Sequence, residues 1–403
     1  MNSLWVPGNR FALLENGEEF FPRVFSAIEG AEREVLIETF IWFDDQVGQA
    51  LRDVLIAAAR RGVETHVLID GWGSPDIALP FAQSLLDAGV RLRSFEPARR
   101  LFGARINMLG RMHHKLVVID ARRAFVGGIN YAKDHLVELD AMSKQDYAVE
   151  IEGPLVEQIH AFCRANLEKP QPERRLWMRR WGARMDRRGS TPGTASGGAV
   201  AAFVTRDNSS QRTDIERQYR VAIRSAQRRI VIANAYFFPG YRLLRDLRRA
   251  ARRGVQVDLI LQGQPDMPWV QRATMLLYEL LLRAGVHIHE FVERPLHAKV
   301  AVIDDEWATV GSSNLDPTSL SLNLEANVMM RDQGFATELR QALDALIENK
   351  CVTVNLPRPG PLRSIWLAVR TTIVYHVLRR FPAWVRWTQS RAPRVVPLQA
   401  ETP

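Results

Sequence analysis

HHKLVVIDARRAFVGGIN, from His113 to Asn130, and HAKVAVIDDEWATVGSSN, from His297 to Asn314, are two copies of one pattern. The histidine, lysine, aspartate and asparagine keep a single offset, since 297 − 113, 299 − 115, 304 − 120 and 314 − 130 all equal 184. A repeat held in register this long means a chain built from two similar halves. Outward from the motifs the likeness continues. AIEGAEREVLIETFIW from Ala27 lies over AIRSAQRRIVIANAYF from Ala222, AARRGVETHVLIDG over AARRGVQVDLILQG, and LLDAGV at Leu85 over LLRAGV at Leu281. Near-continuous apolar runs such as VLIETFIW alternate with helical periodicity such as Val47 to Arg61, as in strands covered by helices on both faces. The expected fold is α/β: two similar domains, residues 1–168 and 201–350, each a mixed β-sheet flanked by helices.

In HxK the two side chains are two residues apart, so on a strand both leave one face. His113 with Lys115, and His297 with Lys299, can therefore each address one anion. The GGxN and GSSN turns add Gly128, Asn130, Ser313 and Asn314 as candidate contacts to phosphate oxygens. One neutral imidazole can attack phosphorus while the other, protonated, serves the leaving oxygen, and the lysines stabilise the developing charge. Exchanging one phosphodiester for another needs no ATP. The chain has no HExxH, no carboxylate cluster and no GxxxxGK[ST] loop, so neither metal nor cofactor is expected. Asp120 and Asp304 complete the motif and join the candidate catalytic set, although the end of an apolar strand also suits a structural role. Asp146 and Glu325 follow the two histidines by 33 (146 − 113) and 28 (325 − 297) residues and are the carboxylates available to orient the imidazoles.

A formal charge of +9 attracts polyanions, either nucleic acid or an anionic lipid surface. Two isolated cysteines, Cys163 and Cys351, read as buried thiols in a reducing compartment. The N-terminus shows no secretion signal, and no run is long and apolar enough to span a bilayer. Residues 169–200 read as a Pro/Gly/Ser-rich linker in which Trp177, Met178 and Trp181 interleave with arginines. Residues 351–403 read as a basic amphipathic tail, with Trp366, Trp384 and Trp387 among Arg363, Arg370, Arg379, Arg380 and Arg386, suited to lying in a membrane interface.

These residues resemble the paired HKD motifs of the phospholipase D superfamily over roughly Asn9 to Asn349, and within it the short bacterial cardiolipin synthases. The resemblance implies two lobes related by a pseudo-twofold axis, with the active site at their interface. It also implies a phosphatidyl-histidine on His113, with His297 as general acid. One phosphatidylglycerol would give its phosphatidyl group to a second, releasing glycerol, at the cytoplasmic face of the bacterial inner membrane with the protein bound peripherally. The insertion ARRLFGARINMLGR carries Arg99, Arg100, Arg105 and Arg111, a candidate clamp for the second lipid's phosphate. Competing readings are a hydrolase of the same superfamily or another phosphatidyltransferase, a metal-independent nuclease, and a noncatalytic membrane scaffold. Nucleic acid is not the expected partner, because the aromatic and basic residues form amphipathic segments and no base-stacking platform is recognisable. Completeness of both motifs counts against a relic.

Overall fold

The computed structural model describes residues 5–74, 77, 79–97, 100–101, 104–105, 110–167, 199–208, 211–264, 268–355, 369–370, 372–374, 376–377, 380 and 394–398. The first half runs β1 (Val6–Glu15), α1 (Asn16–Glu29), β2 (Glu34–Thr39), α2 (Gln46–Arg60), β3 (Glu64–Asp70), α3 (Leu79–Asp87), β4 (Arg91–Phe95), β5 (Arg100–Leu101), β6 (Ala104–Arg105), β7 (Leu116–Ile119), β8 (Arg123–Gly127), β9 (Tyr147–Glu152) and α4 (Leu155–Leu167). The second runs β10 (Ala199–Arg206), α5 (Asp214–Ser225), β11 (Arg229–Asn234), α6 (Tyr241–Arg252), β12 (Gln256–Gln262), α7 (Pro268–Leu282), β13 (Val286–Phe291), β14 (Lys299–Ile303), β15 (Trp307–Gly311), α8 (Pro317–Ser321), β16 (Glu325–Arg331) and α9 (Gln333–Lys350). Two short strands follow, β17 (Cys351–Thr353) and β18 (Val395–Pro397).

Among the described residues, sixteen strands form one sheet, ordered β17-β13-β12-β11-β14-β15-β16-β10-β1-β9-β8-β7-β2-β3-β4-β18. Its two halves mirror each other about the β10–β1 junction, where the strands pair antiparallel with a shifted register. Parallel β2-β3-β4 and β11-β12-β13 lie outside antiparallel β7-β8-β9 and β14-β15-β16, so each half is mixed.

Strand alternation sorts the apolar residues into three cores. Val117 and Ile119 of β7 join Leu51, Leu55 and Phe81 in a core belonging to the first half. Ala301 and Ile303 of β14 do the same with Leu244 and Leu247 in the second. The alternate residues, Leu116 and Val118 with Val300 and Val302, share a third core with Ile159 of α4 and Leu339 and Leu343 of α9. Because that core draws on both halves, neither half buries its inner face without the other.

Both described ends of the tail belong to the sheet and not to an interfacial helix. Cys351–Thr353 pairs with β13, and Val395–Pro397 pairs with β4 at the opposite edge, so the tail begins on one half and ends on the other. Between them Val374 is buried in the second half's core, while Val369, Ile373 and Val377, at a spacing of four, are exposed. The tail's tryptophans, Arg363, Arg379 and Arg386, and nearly all of the 169–200 linker lie outside the described residues. Among the described residues no helix is long and apolar enough to cross a membrane.

Candidate active site

Each motif enters the seam beside the other half. The N–H of His113 donates to the carbonyl of Leu324 (2.8 Å), and that of Leu324 to the carbonyl of Arg111 (2.8 Å). In the second motif the N–H of His297 donates to Gln145 (2.8 Å) and that of Gln145 to Pro295 (2.9 Å). Two short parallel bridges, Met112 with Leu324 and Gln145 with Leu296, thus stitch each motif to the other half.

The carboxylates follow the same crossing. His113 Nδ1 meets Glu325 Oε2 at 3.1 Å, and His297 Nδ1 meets Asp146 Oδ2 at 2.5 Å. The separations counted in the sequence run within each copy; the contacts run between copies. An ionised carboxylate only accepts, so each Nδ1 carries the proton and each Nε2 keeps its lone pair. Both carboxylates are wholly buried, whereas the imidazoles keep 12% and 14% exposure, enough for an outer edge to meet substrate. Lys115 Nζ donates to the carbonyl of His113 (2.7 Å), and Lys299 Nζ to that of His297, so each lysine folds back over its own histidine. His114, between His113 and Lys115, points the other way: it is buried against Phe162 of α4 and beside Glu38.

The glycine position of the turn differs between copies to fit the carboxylates. A Cβ on Gly128 would lie 2.4 Å from Asp146 Oδ1, so only glycine leaves room there. The equivalent Ser312 donates its hydroxyl to the longer Glu325 (2.5 Å). Sequence alone assigns Gly128 and Ser313 to phosphate. In the fold the Gly128 N–H donates to Tyr147 (3.1 Å), the Ser313 N–H to Asn327 (3.3 Å) and the Ser313 hydroxyl to Asn314 (3.3 Å). These donors are taken up by Tyr147 of β9, Asn327 of β16 and the adjacent Asn314 carbonyl. Asn130 and Asn314 are both buried; Asn130 Oδ1 accepts from Ile41 N–H (3.2 Å), while Asn314 Oδ1 has no partner among the described residues.

Asp120 and Asp304 are corrected from the catalytic set. Each lies at the far end of its strand, about 20 Å from its histidine at the rise of extended chain. Asp120 receives the N–H groups of Glu32 (3.0 Å), Arg33 (2.8 Å) and Glu34 (2.8 Å), and Asp304 those of Gln227 (2.7 Å), Arg228 (2.8 Å) and Arg229 (2.8 Å). With φ of 53° and 55°, followed by Ala121 and Asp305 also at positive φ, they open the three-residue hairpin loops between paired Ile119 and Arg123 and between Ile303 and Trp307, each tightened by the N–H of Arg122 or Glu306 donating back to Ile119 (2.9 Å) or Ile303 (3.2 Å). Burial alone would raise the Asp120 carboxyl, but the three amides outweigh it and hold it below the usual range. Asp120→Ala or Asp304→Ala is expected to lower stability by about 1–3 kcal/mol, the penalty for orphaned amides, with turnover of the folded fraction nearly unchanged. Thermal melts beside active-site-normalised rates test this.

Arg111 is also corrected. Its guanidinium is bound to Asp70 (2.8 Å) and to the carbonyls of Phe95 (3.1 Å) and Glu96 (2.8 Å), with only 3% exposure, so it locks the approach to the first motif and does not reach for a lipid. Arg294, three residues before His297, instead crosses the seam to Ser143 (2.7 Å) and Gln145 (2.6 Å). Arg99 lies outside the described residues, and Arg100 and Arg105 pair in the β5–β6 hairpin.

Burial, with repulsion from Lys299, brings Lys115 down to about 7. It lowers His113 too, against the pull of Glu325, and His297 further, helped by Lys299, Lys144 and Lys115. Burial raises Asp146; Glu325 resists the same effect because His113, Lys115 and Ser312 hold its charge. The seam is thus a buried, cation-rich space that an anion would relieve. His135, Asp146 and His297 each offer an atom within 4.8 Å of the others, the spacing of a metal trio, but the surrounding lysines oppose a cation. His135 and Phe40, whose ring is 4.9 Å from that of His113, were not foreseen; the second copy has neither.

The family model described as cardiolipin synthase, PLD-like domain, matches residues 24–163 and 219–347. Cardiolipin synthase B of Shigella flexneri and of Escherichia coli (strain K12) are each 49% identical over 395 residues, 98% of this chain and 94% of theirs. Cardiolipin synthase A of Pseudomonas putida is 32% identical over 339 residues, 84% of this chain and 68% of its own. The fold is similar to that of the phosphatidylserine synthase of Haemophilus influenzae Rd KW20, with a TM-score of 0.64 at 13% identity over 93% of this chain and 96% of that one.

Proposed function

The chain belongs to the cardiolipin synthase family with phospholipase D-like domains, and from that premise we propose that it transfers a phosphatidyl group from one phosphatidylglycerol to another at the seam of its two halves. The observation that carries this reading is the crossed pair of dyads, His113 with Glu325 and His297 with Asp146, around two buried lysines. His113 Nε2 attacks phosphorus, forming an N–P bond as the P–O bond to glycerol breaks. His297 delivers its proton to the departing glycerol oxygen and then takes one from the incoming hydroxyl, which displaces His113 to give cardiolipin. His297 is depressed first by burial and then by cationic neighbours; a bound phosphodiester offsets those neighbours and lets the ring hold the proton it must give. Lys115 and Lys299 hold the nonbridging oxygens, and Asn130 and Asn314 frame the same edge. Residues 1–168 and 201–350 act as the two catalytic lobes, joined by 169–200. No step calls for a metal or cofactor.

Phosphatidylglycerol vesicles incubated with the purified protein should yield cardiolipin and glycerol in equal amounts, with and without EDTA. Phosphatidic acid in place of cardiolipin would assign the site to hydrolysis. The substrate requires contact with lipid, which we assign to the tail at the cytoplasmic face of the bacterial inner membrane. The exposed row Val369, Ile373 and Val377 supports that placement beside the flanking arginines. Serine at all three positions is expected to weaken sedimentation with anionic vesicles by at least about tenfold, since each apolar side chain contributes roughly 1.5 kcal/mol or more when buried. Unchanged sedimentation would remove the tail from membrane binding.

A further inference from the structure

His135 lies in a short turn (Lys133–His135) just beyond the first GGIN and has no counterpart in the second copy. The turn is held from several sides. Asp45 accepts the N–H of Lys133 (2.7 Å), Glu18 that of Val137 (2.7 Å), and Gly17 packs so close that a Cβ there would lie 2.5 Å from the His135 carbonyl. The imidazole is wholly buried, edge-on to the ring of His297 at 5.8 Å. Asn130 N–H donates to its Nε2 (3.3 Å), while the nearest carboxylate oxygen to that nitrogen, on Asp134, is at 3.7 Å, too far for a hydrogen bond. Nε2 is therefore the acceptor, and the proton is on Nδ1. That Nδ1 has no partner among the described residues. A buried donor without an acceptor is destabilising, and such groups concentrate where a ligand completes them. The groups facing the ring are Asp134, Asp146, His297, Lys144 and Lys299; Asp134 is paired with Lys144 and Asp146 with His297, so the Lys299 ammonium is the excess charge, which favours an anion over a metal ion.

We propose that His135 is a third substrate-contacting histidine, whose Nδ1–H takes a nonbridging oxygen of the phosphodiester; this rests on the seam being the site of phosphatidyl transfer. It makes the two halves inequivalent: an oxygen held beside His297 has a donor with no equal beside His113.

Inorganic phosphate is the probe, titrated calorimetrically into the full-length protein. Asparagine places an amide N–H where the imidazole Nδ1 was, whereas glutamine reaches the position of Nε2. His135→Asn should bind phosphate within about threefold of the parent, and His135→Gln and His135→Leu should lose about tenfold or more, the loss of one hydrogen bond to a charged group. The reverse order, glutamine retained and asparagine lost, would mean that the ring only supports the Asn130 turn and would overturn the proposal. So would equal binding by all variants, no phosphate binding by the parent, or a His135-dependent site for Zn²⁺ alone. If the glutamine and leucine variants do not fold, ¹⁵N spectra of the parent decide: the Nδ1 signal missing from His135→Asn must move on adding phosphate, and a signal that stays put contradicts the contact. Phosphate binding does not need turnover, so failure to form cardiolipin with this binding intact would sink the transferase reading alone.

Discussion

Alanine at either His113 or His297 is expected to lower phosphatidyl transfer on the order of a thousandfold or more, with the melting temperature close to that of the parent. Each imidazole has a task the other cannot assume in the same cycle: one forms the bond to phosphorus, the other carries the proton. Their Nδ1 edges face buried carboxylates and their outer edges keep 12% and 14% exposure, so truncation opens space toward solvent and leaves the shared core intact. The lysines remain in both variants, so lipid binding should survive. The double variant should be hardly worse than either single one, because the groups act as a unit. Appreciable turnover by either single variant would remove the two-histidine mechanism.

The crossed dyads lead to the second large effect. Asp146→Asn and Glu325→Gln should each reduce transfer by roughly a hundredfold to ten-thousandfold, the range for losing the carboxylate that fixes an imidazole's tautomer. The two variants should part company on a phosphatidyl p-nitrophenyl diester, whose phenolate leaves without a proton. There the first step no longer needs His297, so the Asp146→Asn defect in the first-turnover burst of nitrophenolate should largely vanish. The Glu325→Gln defect should persist, because Glu325 orients the attacking His113. Pairing within each half predicts the opposite assignment, so the comparison tests the crossing itself. Gly128→Ser serves as a steric companion: its Cβ would lie 2.4 Å from Asp146 Oδ1, and it should reproduce the Asp146→Asn pattern.

What could be read in advance was whatever the duplication repeats. Strand alternation, the His and Lys on one face, and two similar α/β halves follow from residue spacing, which acts locally. The crossing of Asp146 to His297 and Glu325 to His113 does not, because sequence separation says nothing about which copy a side chain faces once β1 and β10 join the half-sheets. Asp120 illustrates the limit from the other side. Its place in the motif suggested chemistry, and its three backbone amides, from Glu32 and Arg33 before β2 and from Glu34 at its start, appear only when that segment folds over the turn. Arg111 looked free in an arginine-rich insertion because Asp70, its partner 41 residues upstream, ends a different strand. His135 left no trace in the repeat, since the repeat records only what the halves share. The β18 strand closing on β4 is likewise unrepeated, and its short VVP pattern carries no period to notice.

The most direct test of a shared phosphorus site is capture of the covalent adduct. His297→Ala, mixed with the nitrophenyl diester and quenched, should release a single equivalent of nitrophenolate and carry one phosphatidyl group, mapped by mass spectrometry to His113. His113→Ala under the same conditions should carry none. A phosphatidyl group on any residue other than His113, or nitrophenolate release undiminished in the His113→Ala protein, would contradict the account.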